Sequence, residues 1–190
     1  MKSEPIHLHP GNPHCFFYKE QPLLLITAGE HYGAVLNPDF DYIAYLDTLK
    51  KYGLNLTRVF SGAYVENEKD IAWMLYGNTL APRPRRFLAP WKRSNVSGYP
   101  NGGCKFDLDQ WDAAYFTRLK DFIRAAAERS IVVEYVFFSQ MYGDSQWGVS
   151  PLNERCNING VGMCTWDRFT TLEDKALVAR QEELVRKVVQ

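Results

Sequence analysis

The sequence has no excess of charge of either sign. It also has no apolar run long enough to cross a bilayer. Lys plus Arg and Asp plus Glu both total 22, so no basic surplus is available to neutralise phosphates. The opening residues, MKSEPIHLHPGNPHC, contain no apolar segment of the kind that directs export. We therefore expect a cytoplasmic protein that binds neither nucleic acid nor membrane.

Closely spaced cysteines are also lacking. No C-x-x-C pair is present, which argues against a zinc knuckle and against a dense disulfide framework. His7 and His9 resemble the paired ligands of metal-dependent amidohydrolase barrels, but they precede every apolar strand, so a solvated terminus is the favoured interpretation. We expect no metal and no cofactor, and four free thiols: Cys15, Cys104, Cys156 and Cys164.

What the sequence does contain is a repeated order of apolar strand, long loop and amphipathic helix. Hydrophobic residues make up 46% of the chain, enough for one packed domain. Apolar runs predict strands over residues 23–28, 54–64 and 131–141. Helical periodicity predicts helices over residues 39–52, 107–129 and 171–190, the second opened by an Asp107 cap with Gln110 three positions on. A hairpin over residues 15–26, with a Lys-Glu-Gln-Pro turn, precedes them.

The long connections all follow strands, whereas Gly53 and Ser130 alone separate a helix from the next strand. This asymmetry is typical of a (β/α) barrel, whose site lies at the carboxyl ends of its strands. A doubly wound sheet is less favoured because no Gly-x-Gly-x-x-Gly follows the first strand. We predict one α/β domain, a partial TIM (β/α)8 barrel of three βα units (residues 23–53, 54–130 and 131–190) after an N-terminal β-hairpin (residues 1–22). A closed barrel takes about 250 residues, and three βα units cannot form one. We therefore expect the chain to be the N-terminal portion of such a barrel.

Several segments carry a resemblance to a known family. They are Glu30-His31 after the first strand, the Asn-Leu-Thr-Arg of residues 55–58, APWKRS at 89–94 and KFDLDQWDAAYFTRLKDFIRAA at 105–126. The chain resembles the N-terminal portion of clan A glycoside hydrolases of the cellulase-like or apiosidase-like kind. The resemblance implies a retaining mechanism with an acid/base carboxylate on strand four and a nucleophile on strand seven. Neither strand is predicted here, so we assign no catalytic residue and expect this chain alone to be inactive.

Candidate substrate-binding residues lie at the predicted strand ends and in the long loops. Arg58 is the first candidate because a cation at a strand end can orient a carboxylate, although an ion pair with Glu134 on the adjacent strand is its structural alternative. Aromatic faces can stack on sugar rings, with loop anchoring as the alternative role. The other candidates are Glu30, His31, Tyr64, Trp91, Gln140, Tyr142, Asp144 and Trp147.

A second class of function stays open. Three parallel strands with unpaired edges would favour association, either with another copy of the chain or with a complementing C-terminal barrel fragment. The two hypotheses are thus a carbohydrate-active barrel portion and a half-barrel binding or structural module.

Overall fold

The N-terminal part of the chain forms a small antiparallel sheet. The computed structural model describes residues 5–27, 32–66 and 80–190. Strands β1 (His7–His9), β2 (Asn12–Tyr18) and β3 (Gln21–Leu23) pair in that order. Lys19 and Glu20 have φ angles of 49° and 60°, as a two-residue hairpin turn requires. The predicted hairpin is confirmed, and β1 adds a third strand to it.

The first predicted strand, residues 23–28, is not found as such in the described part of the chain. Leu23 ends β3, residues 24–27 form no ladder, and Ala28 lies outside the described residues. The segment still lies beside the start of the second predicted strand, because Ile26 O accepts from Asn55 N at 3.0 Å and from Leu56 N at 3.2 Å. The Asn55 side chain bonds the backbone of Leu24 at 2.8 Å and of Ile26 at 2.7 Å, so side-chain bonds supplement these backbone bonds and no regular ladder forms.

The second and third predicted strands are confirmed as parallel neighbours. Strand β4 (Leu56–Phe60) pairs with β7 (Val132–Val136), and Arg58 lies opposite Glu134 in the register. Both strands end earlier than predicted. β-Branched and aromatic residues dominate both, as strands favour, and a single turn at Ser130 (φ 59°) leads from the preceding helix towards β7.

Helices cover one face of this parallel pair. Helix α1 (Gly33–Leu36) precedes α2 (Tyr42–Lys51), which lies within the predicted helix of residues 39–52. Thr57 is buried on that face and its Oγ1 lies 2.8 Å from the Tyr45 hydroxyl. Because side chains alternate along a strand, Arg58 and Glu134 belong to the opposite face.

The second predicted helix begins later than expected. Residues 107–111 belong to β6 (Cys104–Trp111), which pairs antiparallel with β5 (Trp91–Ser97) inside the predicted long loop of residues 65–106. Helix α3 (Ala113–Ala127) follows, and the Asp112 carboxylate, not that of Asp107, accepts a cap bond from Ala114 N at 2.9 Å.

Two further helices complete the described fold. The short helix α4 (Asp144–Trp147) lies in the stretch after β7, and α5 (Lys175–Val189) ends the chain. The third predicted helix, residues 171–190, is confirmed except for its first turn, since its cap is Asp174, which accepts from Leu177 N at 3.0 Å.

The described residues form a mixed α/β structure with three small sheets, and those sheets make no closed barrel. The largest fully buried side chains include Trp91, Phe106, Tyr115, Phe122 and Phe169, so β5, β6 and α3 contribute to the same core as the parallel pair. No helix in the described ranges is long and apolar enough to span a membrane.

Candidate functional site

A cavity of about 380 Å³ lies on the side of the parallel pair that the helices leave uncovered. Phe60 and Val136, which end β4 and β7, contribute to its wall together with residues from the two following loops. Carboxyl ends of parallel strands are where α/β proteins usually bind ligands. The described lining residues are Tyr32, Arg58, Phe60, Tyr64, Glu66, Glu134, Val136, Ser139 and Tyr142.

An ion pair across the two strands lines this cavity. Arg58 Nε donates to Glu134 Oε2 at 3.0 Å, and the side chains are 43% and 45% exposed. The sequence hypothesis that Arg58 pairs with Glu134 is thereby confirmed. Since both groups reach water, the pair contributes little to stability, and its two charged ends stay accessible from the cavity.

Aromatic rings form a second wall. The rings of Tyr32, Phe60 and Tyr64 meet with centroids 5.4 to 6.0 Å apart at steep interplanar angles. Tyr64 is 3% exposed, whereas Tyr142, whose ring lies 6.3 Å from it, is 78% exposed. Tyr142 therefore offers an aromatic face to a ligand, while the buried rings hold the wall in place.

The loop after β4 is fixed from several sides. Ser61 N donates to Val136 O at 2.9 Å and Ser61 Oγ to Phe137 O at 2.5 Å, which ties the loop to β7. Gly62 has a φ of 93°, and a Cβ there would lie 2.8 Å from a Pro90 side-chain carbon. Glycine is thus required at this point, and the loop presents Tyr64 and Glu66 in a defined position.

Glu66 is a lining residue that sequence reasoning missed. Its Oε1 accepts a hydrogen bond from the Tyr64 hydroxyl at 2.9 Å. The Ser-Gly that follows the β4 apolar run was the available signal, because a sharp turn there directs the next polar residues towards the strand ends. Tyr32 and Ser139 were missed as well.

Three of the predicted site residues, Arg58, Tyr64 and Tyr142, are brought together at the cavity. Gln140 and Asp144 are exposed and do not line it. Glu30 and His31 lie outside the described residues.

The two predicted tryptophans lie in the core. Trp91 is 1% exposed and stacks on Trp111 at 6.1 Å. Trp147 is 2% exposed, stacks on Phe169 at 5.3 Å and donates its indole N–H to Cys164 O at 2.6 Å. Both are packing residues, Trp91 at the start of β5 and Trp147 at the end of α4.

Metal ligands are not assembled in the part of the chain that the structure describes, where no group of three or more His, Cys, Asp or Glu side chains converges. His7 and His9 instead lie on β1, and their rings contact Phe17 with centroids 5.5 and 5.0 Å away.

Comparison with known proteins gives a likeness of fold. No family model matches the sequence, and no curated protein matches it significantly. Among solved structures, the chain is similar to a putative glycoside hydrolase from Bacteroides vulgatus, with a TM-score of 0.53 and 13% sequence identity. The match covers 99% of this chain and 36% of the other, so the chain spans little more than a third of that protein.

Proposed function

We propose that the chain is the N-terminal part of a carbohydrate-active (β/α) barrel and that its cavity is part of a sugar-binding cleft. In such a barrel β4 and β7 are neighbouring strands, their helix-free face points inward, and the ligand lies at their carboxyl ends. The parallel register, the helices on one face and the fold likeness to the Bacteroides vulgatus protein support this proposal.

The observation that carries the proposal is an exposed aromatic ring in the same cavity as a charged pair. A sugar has an apolar C–H face and a rim of hydroxyls, so it needs both kinds of group. Tyr142 would stack on the sugar ring, while Arg58 would donate to hydroxyl oxygens and Glu134 would accept from hydroxyl groups.

Sugar binding is tested with a panel of neutral mono- and disaccharides by saturation-transfer NMR. Tyr142→Ala should weaken binding roughly fivefold or more, because a stacked ring contributes about 1 kcal/mol beyond its buried area. Tyr52→Ala is the matched control, since Tyr52 is 69% exposed at the end of α2 and does not line the cavity. Equal loss in both variants, or none in either, would contradict the assignment.

We further propose that this chain alone does not hydrolyse glycosides. A retaining pair needs two carboxyl groups roughly 5 to 5.5 Å apart across the scissile bond, and one of the two described cavity carboxylates, Glu134, is engaged by Arg58. A panel of aryl glycosides should show no turnover. Turnover abolished by Glu66→Gln or Glu134→Gln would overturn this part of the proposal.

A second candidate function is a half-barrel module that associates with another copy of the chain. Every residue of β7 is at least partly exposed, and in the described ranges β7 pairs only with β4. An unpaired apolar strand edge favours association. An apolar groove of about 520 Å³, lined by Phe138, Val178 and Val185 among others, includes a residue two positions after the end of β7.

Light scattering on the purified chain tests this second candidate. Val185→Glu in the groove should dissociate a dimer, whereas Val189→Glu on the same helix, 70% exposed and outside the groove, should not. A chain that stays monomeric at high concentration would rule the association out.

A further inference from the structure

A basic surface lies at the end of the β5–β6 hairpin. Residues 80–106 contain no Asp or Glu, so any carboxylate that neutralises a cation of this stretch must come from elsewhere. The cations of the stretch are Arg83, Arg85, Arg86, Lys92, Arg93 and Lys105. Arg86 has such a partner, because it pairs with Asp39 at 2.6 Å. The cavity at β4 and β7 includes none of the six among its described lining residues, so the basic surface is separate from it.

Two of these cations lie against the turn of residues 98–103, which joins β5 to β6. A Cβ placed on Gly102 would lie 3.6 Å from Arg85 Nε. A Cβ placed on Gly98, at the other end of the turn, would lie 3.8 Å from Lys105 Cε. Arg85 is exposed and Lys105 is partly exposed. The turn therefore has a solvent-accessible cation at each end.

Arg93 lies beside the same turn and is held in place by neutral groups. Its Nη1 donates to Cys104 O, directly after the turn, at 2.9 Å. Its guanidinium carbon lies 3.7 Å from the ring centroid of Phe106 and 4.2 Å from that of Tyr99. Aromatic faces attract a cation, but they do not neutralise it. Because Arg93 is partly exposed, its positive charge acts on the solvent next to the turn.

These three cations lack anionic partners in the described ranges. We call them the basic turn: Arg85, Arg93 and Lys105. No Asp or Glu carboxylate of the described residues lies within ion-pair distance of any of the three. Lysine and arginine are both protonated at neutral pH. Anions from the solution or from a ligand must therefore balance the positive charge of the basic turn.

We propose that the basic turn binds the carboxylate groups of an acidic polysaccharide, as a second sugar site outside the cavity. A guanidinium binds a carboxylate through two parallel N–H···O bonds. Each residue of a uronic-acid polymer carries one carboxylate, so a single polymer chain can contact more than one of the three cations. The proposed function favours a sugar polymer over nucleic acid, and a formal net charge of 0 provides no long-range attraction for phosphates.

Oligogalacturonate and its methyl ester are a matched pair of ligands that tests the proposal, because they share a sugar backbone and differ in charge. The wild-type chain should bind the acid at least about tenfold more tightly than the ester in calorimetric titrations at neutral pH. Arg85→Gln should weaken binding of the acid about tenfold, the effect of losing one charge-assisted hydrogen bond. Lys105→Gln should also weaken it, and neither variant should change binding of the ester.

Two control variants separate the basic turn from net charge and from the cavity. Arg124→Gln removes one positive charge on α3, where Arg124 is 70% exposed and pairs with Asp121, and it should leave binding of the acid unchanged. Tyr142→Ala alters the cavity and should also leave it unchanged.

Three results would overturn this inference and leave the cavity proposal standing. They are equal binding of the acid and the ester, equal loss of binding in Arg85→Gln and Arg124→Gln, and tighter binding of single-stranded DNA than of an oligogalacturonate of equal charge. Failure of neutral sugars to bind, with oligogalacturonate still bound and weakened by Arg85→Gln, would overturn the cavity proposal and support this inference.

Discussion

The Arg58–Glu134 pair illustrates how a charge in an otherwise apolar strand is accommodated. Both side chains are nearly half exposed, so the pair avoids the large cost of desolvating two charges. Arg118 is a different case, because it donates to the carbonyls of Val35 and Ala34 at 3.1 and 3.0 Å and burial lowers its pKa. One arginine faces a cavity and the other holds the chain around α1.

Arg58→Ala should reduce the free energy of unfolding by less than about 1 kcal/mol, as expected for a solvent-exposed pair, while it weakens sugar binding. Arg118→Ala should cost more than about 2 kcal/mol, because it leaves several partly buried carbonyls without donors. Urea denaturation of both variants checks the difference. The opposite order of stabilities would show that Arg58 is chiefly structural.

A fully buried tyrosine, Tyr115, and a partly buried one, Tyr135, make folding sensitive to alkaline pH. The hydroxyls of Tyr115 and Tyr135 lie 2.7 Å apart, and burial raises the pKa of both well above the ordinary value. The unfolded chain loses these protons at a pH of about 10, whereas the folded chain keeps them. Their contribution to stability is therefore complete below pH about 10 and falls as the pH rises above it.

The double variant Tyr115→Phe/Tyr135→Phe should show a smaller loss of stability above pH about 10, because two ionisable groups are removed together and neither hydroxyl is left unpaired. Unfolding free energies measured in steps across this range check the expectation. Identical alkaline slopes for the variant and the wild type would contradict it.

The start of α3 shows why one element was misplaced. Leu108 and Trp111 are spaced three residues apart, and Asp107 stands three before Gln110, so the segment fits a capped helix. The same residues also alternate, and distant partners decide the outcome: β5 pairs with them, and Asn159 Oδ1 accepts from Leu108 N at 2.8 Å. Those contacts are with residues distant in sequence, so the local sequence pattern does not predict them.

Helix bodies, by contrast, were predictable. The apolar spacing of α2, α3 and α5 is maintained over several turns, and the side chains that define it are buried, for example Leu46, Leu119, Phe122 and Leu184. Strand β5 was not predicted because its sequence, WKRSNVS, is mostly polar and Trp91 is its only buried residue.

Asp112→Ala should destabilise the protein by about 1 kcal/mol, the usual effect of losing an N-cap side chain. Asp107→Ala is its control, because Asp107 lies within β6 and only bonds the nearby Asp109 N at 3.0 Å; it should cost at most about half as much, within the range of surface changes. Thermal unfolding of the two variants provides the comparison. A larger effect for Asp107 would place the helix start where the sequence pattern put it.

At the scale of the whole molecule, the sequence could predict only those site residues whose position follows from the order and direction of the strands. Arg58, Tyr64 and Tyr142 were found because they lie at or after the ends of two parallel strands. Trp91 and Trp147 were candidates because they occur in apparent loops, yet packing places both in the core. Burial of a loop residue depends on its distant partners, which composition does not reveal. The cytoplasmic location and the absence of a cofactor stay predictions.

The central claim is that a sugar binds at the carboxyl ends of β4 and β7. The most direct test is an NMR titration with a neutral disaccharide, in which changes of the backbone amide chemical shifts locate the bound sugar. We expect the shifting amides to cluster at Arg58, Tyr64, Glu66, Ser139 and Tyr142, around the cavity of about 380 Å³. Shifts that cluster instead beside α5, or no shifts at saturating sugar, would contradict the account.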